Sequence, residues 1–309
     1  MKNKKVLVVL GGTSGERAVS LDSGRACVKA LKKKGYKVST FDPKKKPLHL
    51  IDKKKVDIIF NALHGKDGED GVAQSYFEYL RVPYTHSGVI SSYNAMNKII
   101  SKEIFKKHKI RSPLYFVLKK AIYNKIQLNK ILKRKRMNFP IVLKPTNEGS
   151  SIGVRICKNI LELHRDSKSL FKKYIELILE TYIGGQEIQV AVLNNDPLGA
   201  IELEPKRKFY DYKAKYNSSA KTEHIIPVDL PKDKMNMVMN MAYKAHKEIG
   251  CQGVTRSDFK FFNNKFYLLE INTQPGMTKL SLVPEIAAFK GISFIKLIEW
   301  ILKDASTKK

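Results

Sequence analysis

The segment that most limits the fold of this chain lies within its first fifteen residues. Val6–Leu10 is an uninterrupted apolar run, and it ends at the glycine-rich turn Gly11–Gly15. A short apolar run that stops at a glycine turn is typical of a buried strand, because glycine lets the chain turn sharply where the strand ends. The spacing of Gly11, Gly12 and Gly15 differs from the GxGxxG pattern of dinucleotide-binding turns, so the run predicts a strand but no dinucleotide site.

Helices and strands alternate after this run. Alternation of this kind predicts a parallel, doubly wound sheet, because each crossover between parallel strands needs a helix. We therefore expect an N-terminal doubly wound domain over residues 1–96. Its predicted elements are a helix through Leu21, Val28 and Leu31 with Gly35 as C-cap, strands over Tyr36–Phe41 and Val56–Leu63, and a helix over Gly71–Leu80.

The chain changes character near Met96, and two further regions are predicted to be separate domains. Residues 97–183 combine Lys-rich helical sequence with short strands around a polar glycine loop, which predicts a small α+β domain. The elements predicted there are helical structure over 97–139, strands over Pro140–Lys144 and Val154–Cys157, the loop Thr146–Gly153 and helical structure over Leu170–Ile178. Residues 184–309 form the third predicted domain, with strands over Ile188–Leu193 and Ala200–Glu204, a polar loop over 205–221 and a Met-rich helix over 233–249. The stripe of that helix expected to pack in the core consists of Met235, Val238, Met239, Ala242, Ala245 and Ile249.

The formal net charge of +29 raises the question of nucleic-acid binding. Only ten of the 58 basic residues are arginine, the side chain that reads guanine edges, and no signature of an RNA-binding module is present. We interpret the excess lysines as solvent-exposed surface residues without a specific role, and we expect no specific nucleic-acid partner. A basic face that attracts phosphates without sequence preference stays an alternative.

The three cysteines indicate the compartment. Cys27, Cys157 and Cys251 stand far apart and lack the paired spacing of a zinc site, so we expect reduced thiols in a cytoplasmic protein. No run approaches the roughly 18 apolar residues of a membrane span, and the first apolar run is too short for a signal peptide, so no membrane partner is expected. The acidic segment Asp67–Gly71 is too short for a calcium loop and is interpreted as a turn.

The glycine- and serine-rich loop of the second region has two interpretations. Gly149–Gly153 matches the GxSxG pattern of serine hydrolases, with Ser151 as nucleophile, but that motif requires a strand, a sharp turn and then a helix. Val154–Cys157 alternates like a second strand, which favours a hairpin loop instead. Such a loop can aim backbone N–H groups and hydroxyls at phosphate oxygens, and Lys144 would add a positive charge. A serine hydrolase and a plain surface hairpin stay as alternatives.

Three oxygen-bearing side chains mark the last predicted hairpin. Glu270 and Asn272 project from the same face of one strand, and Asp258 lies on the strand before it. A two-residue turn, Asn263-Asn264, would pair residue 258 with residue 269, whereas a three-residue loop over 263–265 pairs it with Glu270. We predict the three-residue loop, because two carboxylates and an amide oxygen on one face form a site for Mg²⁺.

These blocks resemble the ATP-grasp enzymes and, within them, the D-alanine–D-alanine ligase family. The match follows the family's order over nearly the whole chain, which makes it more specific than any single motif. The matching blocks are Gly11–Arg17, Ala62–Gly65, Lys144-Pro145, Glu148–Gly153, Tyr210–Tyr216, Arg256–Phe259, Glu270–Thr278 and Ser281-Leu282. The resemblance implies an α/β chain with the ATP-grasp fold: a Rossmann-like, doubly wound domain over 1–96, a central lobe over 97–183 and a C-terminal lobe over 184–309, the two lobes enclosing an ATP cleft.

The resemblance also implies a reaction and its residues. ATP phosphorylates the carboxylate of one D-alanine, and the amine of a second D-alanine attacks the acyl phosphate to form D-alanyl-D-alanine for peptidoglycan synthesis. For ATP and two Mg²⁺ or Mn²⁺ ions, it implies phosphate contacts from Lys98, Lys144, Ser151 and Lys215, an adenine pocket of Glu180, Tyr182, Ile183 and Glu187, and the metal ligands Asp258, Glu270 and Asn272. For D-alanine, it implies Glu16 and His64 at the first molecule, Ser281 and Leu282 at the second, and Arg256 with the backbone N–H of Gly276 at the oxyanion. Position 181 departs from the pattern, with threonine where some relatives carry lysine.

Tyr216 is the implied lid residue. The resemblance places it against Ser150 and Glu16 when the loop over 205–221 closes, which would keep water from the acyl phosphate. Relatives that join D-alanine to D-lactate carry another residue here, so Tyr216 favours an amide product. A ligase that accepts D-serine or another second D-amino acid stays an alternative. The resemblance further implies a homodimer.

Overall fold

The first sheet of the chain is parallel and has helices on both faces. The computed structural model describes residues 3–194, 196–204 and 222–308. Strands β1 (Lys5–Val9), β2 (Lys37–Phe41) and β3 (Ile58–Asn61) pair in the order β2-β1-β3, all parallel. The helices of this region are α1 (Arg17–Lys33), α2 (Val72–Leu80) and α3 (Val89–Met96), with short 3-10 turns at Leu48–Leu50 and Lys53–Lys55.

The side chains of β1 show why this sheet is doubly wound. Val6 and Val8 pack in the core that contains α1, whereas Leu7 and Val9 pack in the core that contains α2. Gly24 lets α1 come close, because a Cβ at this position would lie 2.6 Å from the Cβ of Leu10. The predicted parallel, doubly wound sheet is confirmed.

The second sheet is antiparallel and belongs to residues 115–181. Its strands pair in the order β4-β7-β5-β6, and its core is separate from that of the first sheet. The strands are β4 (Tyr115–Lys119), β5 (Ile141–Pro145), β6 (Arg155–Cys157) and β7 (Glu176–Thr181). The helices around them are α4 (Lys98–Lys107), α5 (Lys125–Lys135) and α6 (Ile160–Leu170), with a 3-10 turn at Lys120–Ile122.

Two predictions for this region were wrong. The helical structure predicted over Leu170–Ile178 is the end of α6 followed by the start of β7. The residues of β7 from Leu177 to Glu180 are all buried, so the strand lacks the in–out alternation that separates a strand from a helix in sequence. The region over 97–139, predicted to be helical throughout, contains the edge strand β4.

The third sheet is antiparallel, with the strand order β10-β9-β8-β11-β12. Its strands are β8 (Gln186–Leu193), β9 (Asp196–Glu204), β10 (Glu223–Ile225), β11 (Val254–Phe262) and β12 (Lys265–Asn272). Helix α7 (Lys232–Ile249) covers one face, and α8 (Leu282–Phe289) and α9 (Phe294–Lys303) pack in the core on the other. The predicted core stripe of α7 is confirmed, since Val238, Ala242, Ala245 and Ile249 are buried and Met235 and Met239 pack beside them.

The first and third sheets share one hydrophobic core. Val6 and Val8 of β1 lie in the same cluster as Leu297 and Ile301 of α9. The backbone of Ser306 also pairs with that of Tyr84, which itself pairs with Ile59 of β3. The C-terminal helix is therefore part of the packing of the N-terminal sheet.

The hairpin of β11 and β12 has the predicted pairing of residues but a different turn. The turn contains two residues, Asn263 and Asn264, both with positive φ, so the predicted three-residue loop was wrong. A β-bulge between Phe259 and Asp258 then shifts the register by one residue, and Asp258 pairs with Glu270 as expected. The extra residue is Leu269 on β12.

The helices in the described ranges include none that is both long and apolar enough to cross a membrane.

Candidate active site

A cleft of about 820 Å³ lies between the second and third sheets. One wall comes from β5, β7 and the loop after β5, and the other from β11 and β12. Seven residues that the resemblance assigns to ATP line it: Lys98, Lys144, Ser151, Glu180, Tyr182, Ile183 and Glu187. The eighth, Lys215, lies outside the described residues, as does Tyr216.

Lys98 stands at the first turn of α4, where Asn97 caps the helix by accepting hydrogen bonds from the N–H groups of Ile99 and Ile100. Its Nζ donates a 2.7 Å hydrogen bond to the carbonyl of Glu148 and lies 3.2 Å from Oε2 of Glu270. The lysine is thus directed between the glycine loop and the predicted metal ligands.

Lys144 and Glu180 project from adjacent strands and form a buried ion pair. The Nζ of Lys144 lies 2.8 Å from Oε2 of Glu180, and Lys102 of α4 approaches the other carboxylate oxygen at 2.9 Å. Burial alone would raise the pKa of Glu180, but the two ammonium groups outweigh it and lower that pKa. In this structure each carboxylate oxygen of Glu180, a residue predicted for the adenine pocket, therefore contacts a lysine. At the other side of the cleft, Glu187 pairs with Lys260 at 2.9 Å.

The glycine loop over 146–153 connects two antiparallel strands, β5 and β6. This strand–loop–strand context lacks the helix that a GxSxG nucleophile requires, so the serine-hydrolase alternative was wrong. Ser150, Ser151 and Gly153 all have positive φ, which folds the loop tightly over the cleft. The hydroxyl of Ser150 donates to Oε1 of Glu16, and this bond joins the loop to the start of α1.

The predicted metal ligands lie on one face of the third sheet. Asp258 and Glu270 are cross-strand partners and both line the cleft. Asp258 receives two hydrogen bonds from Arg256, of 2.8 and 3.0 Å, and the side-chain oxygen of Asn272 accepts one of 2.7 Å from the N–H of Gln274. The described residues hold no group of three or more His, Cys, Asp and Glu placed to bind a metal ion, so a site here would rest on two carboxylates and an amide.

A second cavity of about 510 Å³ adjoins the cleft, since Lys98 and Glu270 line both. Four further predicted residues line it: Glu16, Ser150, Arg256 and Asn272. The cavity therefore brings Glu16 and Arg256, two of the residues predicted for D-alanine, next to residues predicted for ATP. The other residues predicted for D-alanine are not among those that line it: His64, Gly276, Ser281 and Leu282.

Glu69 also lines this second cavity, and sequence reasoning missed it. It is 7% exposed, and its Oε2 has no hydrogen-bond partner among the described residues. Burial and then the nearby charge of Glu16 raise its pKa well above the usual value. The segment Asp67–Gly71 was interpreted only as a turn, and nothing in its composition distinguishes Glu69 from its neighbours. The burial and the raised pKa of Glu69 arise from contacts with residues that are distant in sequence, such as Glu16.

His64 and the segment over 276–282 meet at Ser23, another residue without a sequence signal. The hydroxyl of Ser23 lies 3.2 Å from Nε2 of His64 and accepts a 3.0 Å hydrogen bond from the N–H of Met277. Burial lowers the pKa of His64 to about 4, so its ring is neutral at pH 7. Ser281 immediately precedes α8 and accepts a 2.9 Å hydrogen bond from the N–H of Thr278.

Gly276 and Leu282 have different surroundings within that segment. A Cβ at Gly276 would lie 2.9 Å from the hydroxyl oxygen of Ser281, so the chain passes close to this serine. The side chain of Leu282 is buried in the core shared by the first and third sheets. Leu282 can therefore meet a ligand only through its backbone.

Comparisons with known proteins cover almost the entire chain. Two family models match: the one described as "D-ala D-ala ligase N-terminus" over residues 42–87, and the one described as "D-ala D-ala ligase C-terminus" over residues 104–303. The D-alanine–D-alanine ligase of Pelagibacter ubique is 59% identical over 310 residues, which are 99% of each chain. The corresponding ligase of Geotalea uraniireducens is 41% identical over 309 residues, which are 100% of this chain and 97% of the relative.

Solved structures are similar in fold over the same length. The crystal structure of the D-alanine–D-alanine ligase from Bacillus anthracis superposes with a TM-score of 0.86 at 34% identity and covers 97% of both chains. The structure of that protein complexed with ATP superposes with a TM-score of 0.82 at 31% identity, over 98% of this chain and 96% of the other. The arrangement of all three sheets is thus shared with these structures.

Proposed function

The chain belongs to the D-alanine–D-alanine ligase family, and we infer from this membership that it joins two D-alanine molecules to D-alanyl-D-alanine with ATP as co-substrate. The dipeptide supplies peptidoglycan synthesis. The observation that best supports this activity in the chain itself is the pair of adjoining cavities. Because Lys98 and Glu270 line both, a phosphate bound in the first can meet a carboxylate bound in the second.

The lysines of the cleft would bind the phosphates of ATP. Phosphoryl transfer depends mainly on positioning and on neutralising charge, which lysine ammonium groups provide in a cleft with little water. We assign Lys98 and Lys144 to this task from their place in the cleft, and Lys215 from the family motif alone. Ser151 and the positive-φ backbone around it would supply further donors.

The oxygen ligands of the third sheet fit magnesium. Asp258, Glu270 and Asn272 offer only oxygen donors and share one face, as a hard divalent cation requires. Two Mg²⁺ or Mn²⁺ ions at these side chains would neutralise charge on the phosphates during transfer. Arg256 and Lys98 neutralise the two carboxylates in the structure, so these basic side chains would have to give up their contacts when metal binds.

The second cavity would hold the two D-alanine molecules. The side chain of Glu16, buried and hydrogen-bonded to Ser150, would bind the ammonium group of the first, with the neutral ring of His64 nearby. Arg256 and the N–H of Gly276 would stabilise the oxyanion that forms when the second amine attacks. Ser281 and the backbone of Leu282 would bind the carboxylate of the second molecule.

The nucleoside would occupy the end of the cleft formed by Tyr182, Ile183 and Glu187. Position 181, where the family pattern differs, carries a threonine whose backbone can still form hydrogen bonds. Tyr216 would close over the site, and its assignment rests on the family motif alone. Closure matters because an acyl phosphate exposed to water would hydrolyse.

The first experiment measures ATP- and Mg²⁺-dependent phosphate release with D-alanine, L-alanine or no amino acid, and identifies the products by mass spectrometry. We expect one dipeptide per phosphate with D-alanine only. The variant Arg256→Ala should lose dipeptide formation by about a hundredfold or more, as for the loss of other oxyanion-stabilising donors. Arg155→Ala, an exposed arginine on β6, is the matched control and should behave like the parent.

The possible results separate the alternatives. Phosphate release without an amide product would keep ATP as substrate but contradict D-alanine as acceptor. A panel of D-amino acids in the second position tests the D-serine alternative. A folded chain that releases no phosphate under any condition would contradict the inferred activity.

We further propose that the enzyme is a homodimer in which α2 and α3 form the contact. The outer face of these helices carries five exposed apolar or aromatic side chains: Val72, Tyr76, Tyr79, Ile90 and Tyr93, with Tyr79 80% exposed. Neither helix contains Lys or Arg, although the chain carries a net charge of +29. Two strongly basic molecules repel one another least across such a face, and its aromatic side chains suit a buried interface.

Light scattering coupled to size-exclusion chromatography tests the dimer. The parent should elute as a dimer, and the double variant Tyr76→Lys/Tyr93→Lys as a monomer. Ile175→Lys changes a 77% exposed isoleucine elsewhere and should leave the dimer intact. A monomeric parent, or a double variant that stays dimeric, would contradict the proposed contact.

We place the enzyme in the cytoplasm. Cys27, Cys157 and Cys251 are free and buried, which suits a reducing compartment, and ATP is available there. Fractionation of cells that express the chain, followed by immunodetection, tests this location.

A further inference from the structure

Lys102 is a buried basic residue that has no role in the ligase reaction described above. It lies one turn after Lys98 on α4 and is 0% exposed. Its Nζ lies 2.9 Å from Oε1 of Glu180 and 5.7 Å from the ring centre of Tyr115. The approach to Glu180 lacks the geometry of a hydrogen bond, and Nζ has no other hydrogen-bond partner among the described residues. The contact is therefore held by charge attraction between two buried groups.

Glu180 has two cationic partners with different access to the cleft. Lys144 contacts Oε2 at 2.8 Å and lines the cleft, where a phosphate can reach it. Lys102 contacts Oε1 and has no exposed surface. An anion entering the cleft can therefore draw Lys144 away from Glu180 while Lys102 stays in place.

A buried carboxylate that loses its only counter-ion is strongly destabilised, because it has been removed from water without compensation. If Lys144 were the only partner of Glu180, each transfer of Lys144 to a phosphate would leave such a charge behind. With Lys102 present, the carboxylate keeps one cation in both states.

We propose that Lys102 is the permanent counter-ion of Glu180 and thereby frees Lys144 to bind the phosphates of ATP. Lys102 is a positioning residue in this scheme, since it acts on the nucleotide only through Glu180 and Lys144. The proposal rests on the inferred ATP site.

The test measures ATP binding by calorimetry without D-alanine, so its result does not depend on whether the chain ligates D-alanine. Lys102→Met should weaken ATP binding by about tenfold or more, which corresponds to about 1.4 kcal/mol. Lys106→Met, at an exposed lysine on the same helix, is the control and should bind ATP like the parent. In steady-state assays, Lys102→Met should raise the KM for ATP and leave the KM for D-alanine unchanged.

A second comparison separates this role from a purely structural one. In the double variant Lys102→Met/Glu180→Gln, position 180 carries no charge and needs no counter-ion, so this variant should bind ATP no more than about twofold more weakly than the parent. It also keeps the test valid if Lys102→Met alone does not fold, because it contains no unpaired buried charge at these two positions.

Two results would overturn the proposal. One is a folded Lys102→Met variant with the parent's affinity for ATP. The other is a folded Lys102→Met/Glu180→Gln double variant that binds ATP about tenfold or more weakly than the parent, since the effect of Lys102 would then not pass through the carboxylate.

Discussion

At the scale of single residues, two buried carboxylates meet beside the glycine loop. A Cβ at Gly149 would lie 3.0 Å from Oε2 of Glu16 and 3.4 Å from Oε1 of Glu69, so a larger residue would require the carboxylate of Glu16 to shift slightly. Two like charges this close in a buried cavity oppose one another, and the pKa of Glu69 rises as a result of burial and of the charge on Glu16. An ammonium group entering the cavity would relieve this repulsion.

This pair predicts that Glu69→Gln stabilises the fold at neutral and higher pH. A carboxyl group whose pKa is raised on folding keeps its proton in the folded chain after the unfolded chain has lost it. The parent therefore loses stability as pH rises from about 4.5 through the raised pKa, and a glutamine avoids this loss. We expect the free energy of unfolding of the variant to rise relative to that of the parent between pH 4.5 and pH 8.

Urea unfolding at several pH values measures this difference. The matched control is Asp233→Asn, whose side chain is 71% exposed and which should show no such trend. A Glu69→Gln variant whose stability parallels that of the parent from pH 4.5 to pH 8 would show that Glu69 titrates normally.

The motifs of the sequence predicted many of the residues that line the two cavities, but neither Glu69 nor the residues that support the lining. Glu16, Lys144 and Arg256 belong to short blocks with a chemical meaning, so they could be named in advance. Ser23 and Lys102 could not, because a serine or a lysine within a helix carries no signal of its own. Their contacts join elements that are far apart in sequence, and only the packed chain brings these together.

At the scale of elements, the bulge at Leu269 decides which side chains of β12 face the cleft. Phe266, Leu268 and Ile271 are buried in one core cluster, so the apolar spacing changes from two residues to three. This change of spacing is visible in the sequence and marks the extra residue. The three-residue loop was predicted for another reason, because it would place Asp258 and Glu270 on one face. The bulge places Glu270 and Asn272 beside the cleft and keeps Ile271 in the core.

The bulge predicts an unusual tolerance to shortening of β12. Deleting Leu269 leaves an evenly alternating strand in which Asp258 still pairs with Glu270. The deletion should lower the free energy of unfolding by about 1–2 kcal/mol, because the apolar contacts of one half-buried leucine are lost. Deleting Lys260 from β11 instead turns the rest of a central strand to the wrong face, and that variant should not fold.

Thermal unfolding followed by circular dichroism compares the two deletions. A cooperative transition for the Leu269 deletion and none for the Lys260 deletion is the expected result. If both deletions abolish the transition, the register of β12 depends on more than the alternation of its side chains.

At the scale of the whole molecule, a net charge of +29 surrounds a site that takes a polyanion and a small zwitterion. A field of this sign draws ATP towards the protein and leaves net-neutral D-alanine unaffected. The parallel sheet and the antiparallel lobes follow from local patterns in the sequence, but the direction of this field relative to the cleft does not. The domain boundaries at residues 96 and 183 stay a prediction.

Salt should therefore act on the two substrates differently. Raising NaCl from about 0.05 M to about 0.5 M shortens the range of charge interactions roughly threefold, and kcat/KM for ATP should fall several-fold. The KM for D-alanine should change by less than about twofold. Initial rates with each substrate varied in turn provide the measurement, and an equal loss for both substrates would indicate an effect of salt on the fold.

The shared core of the first and third sheets has a consequence for folding during synthesis of the chain. β1 leaves the ribosome long before α9, yet the two elements pack in the same core. That core therefore stays incomplete until α9 has been translated, and apolar side chains of the N-terminal sheet remain in solvent or bound to a chaperone until then. Nascent chains stalled before α9 should remain sensitive to protease within residues 5–61, and chains extended far enough for α9 to leave the ribosome should protect the same segment.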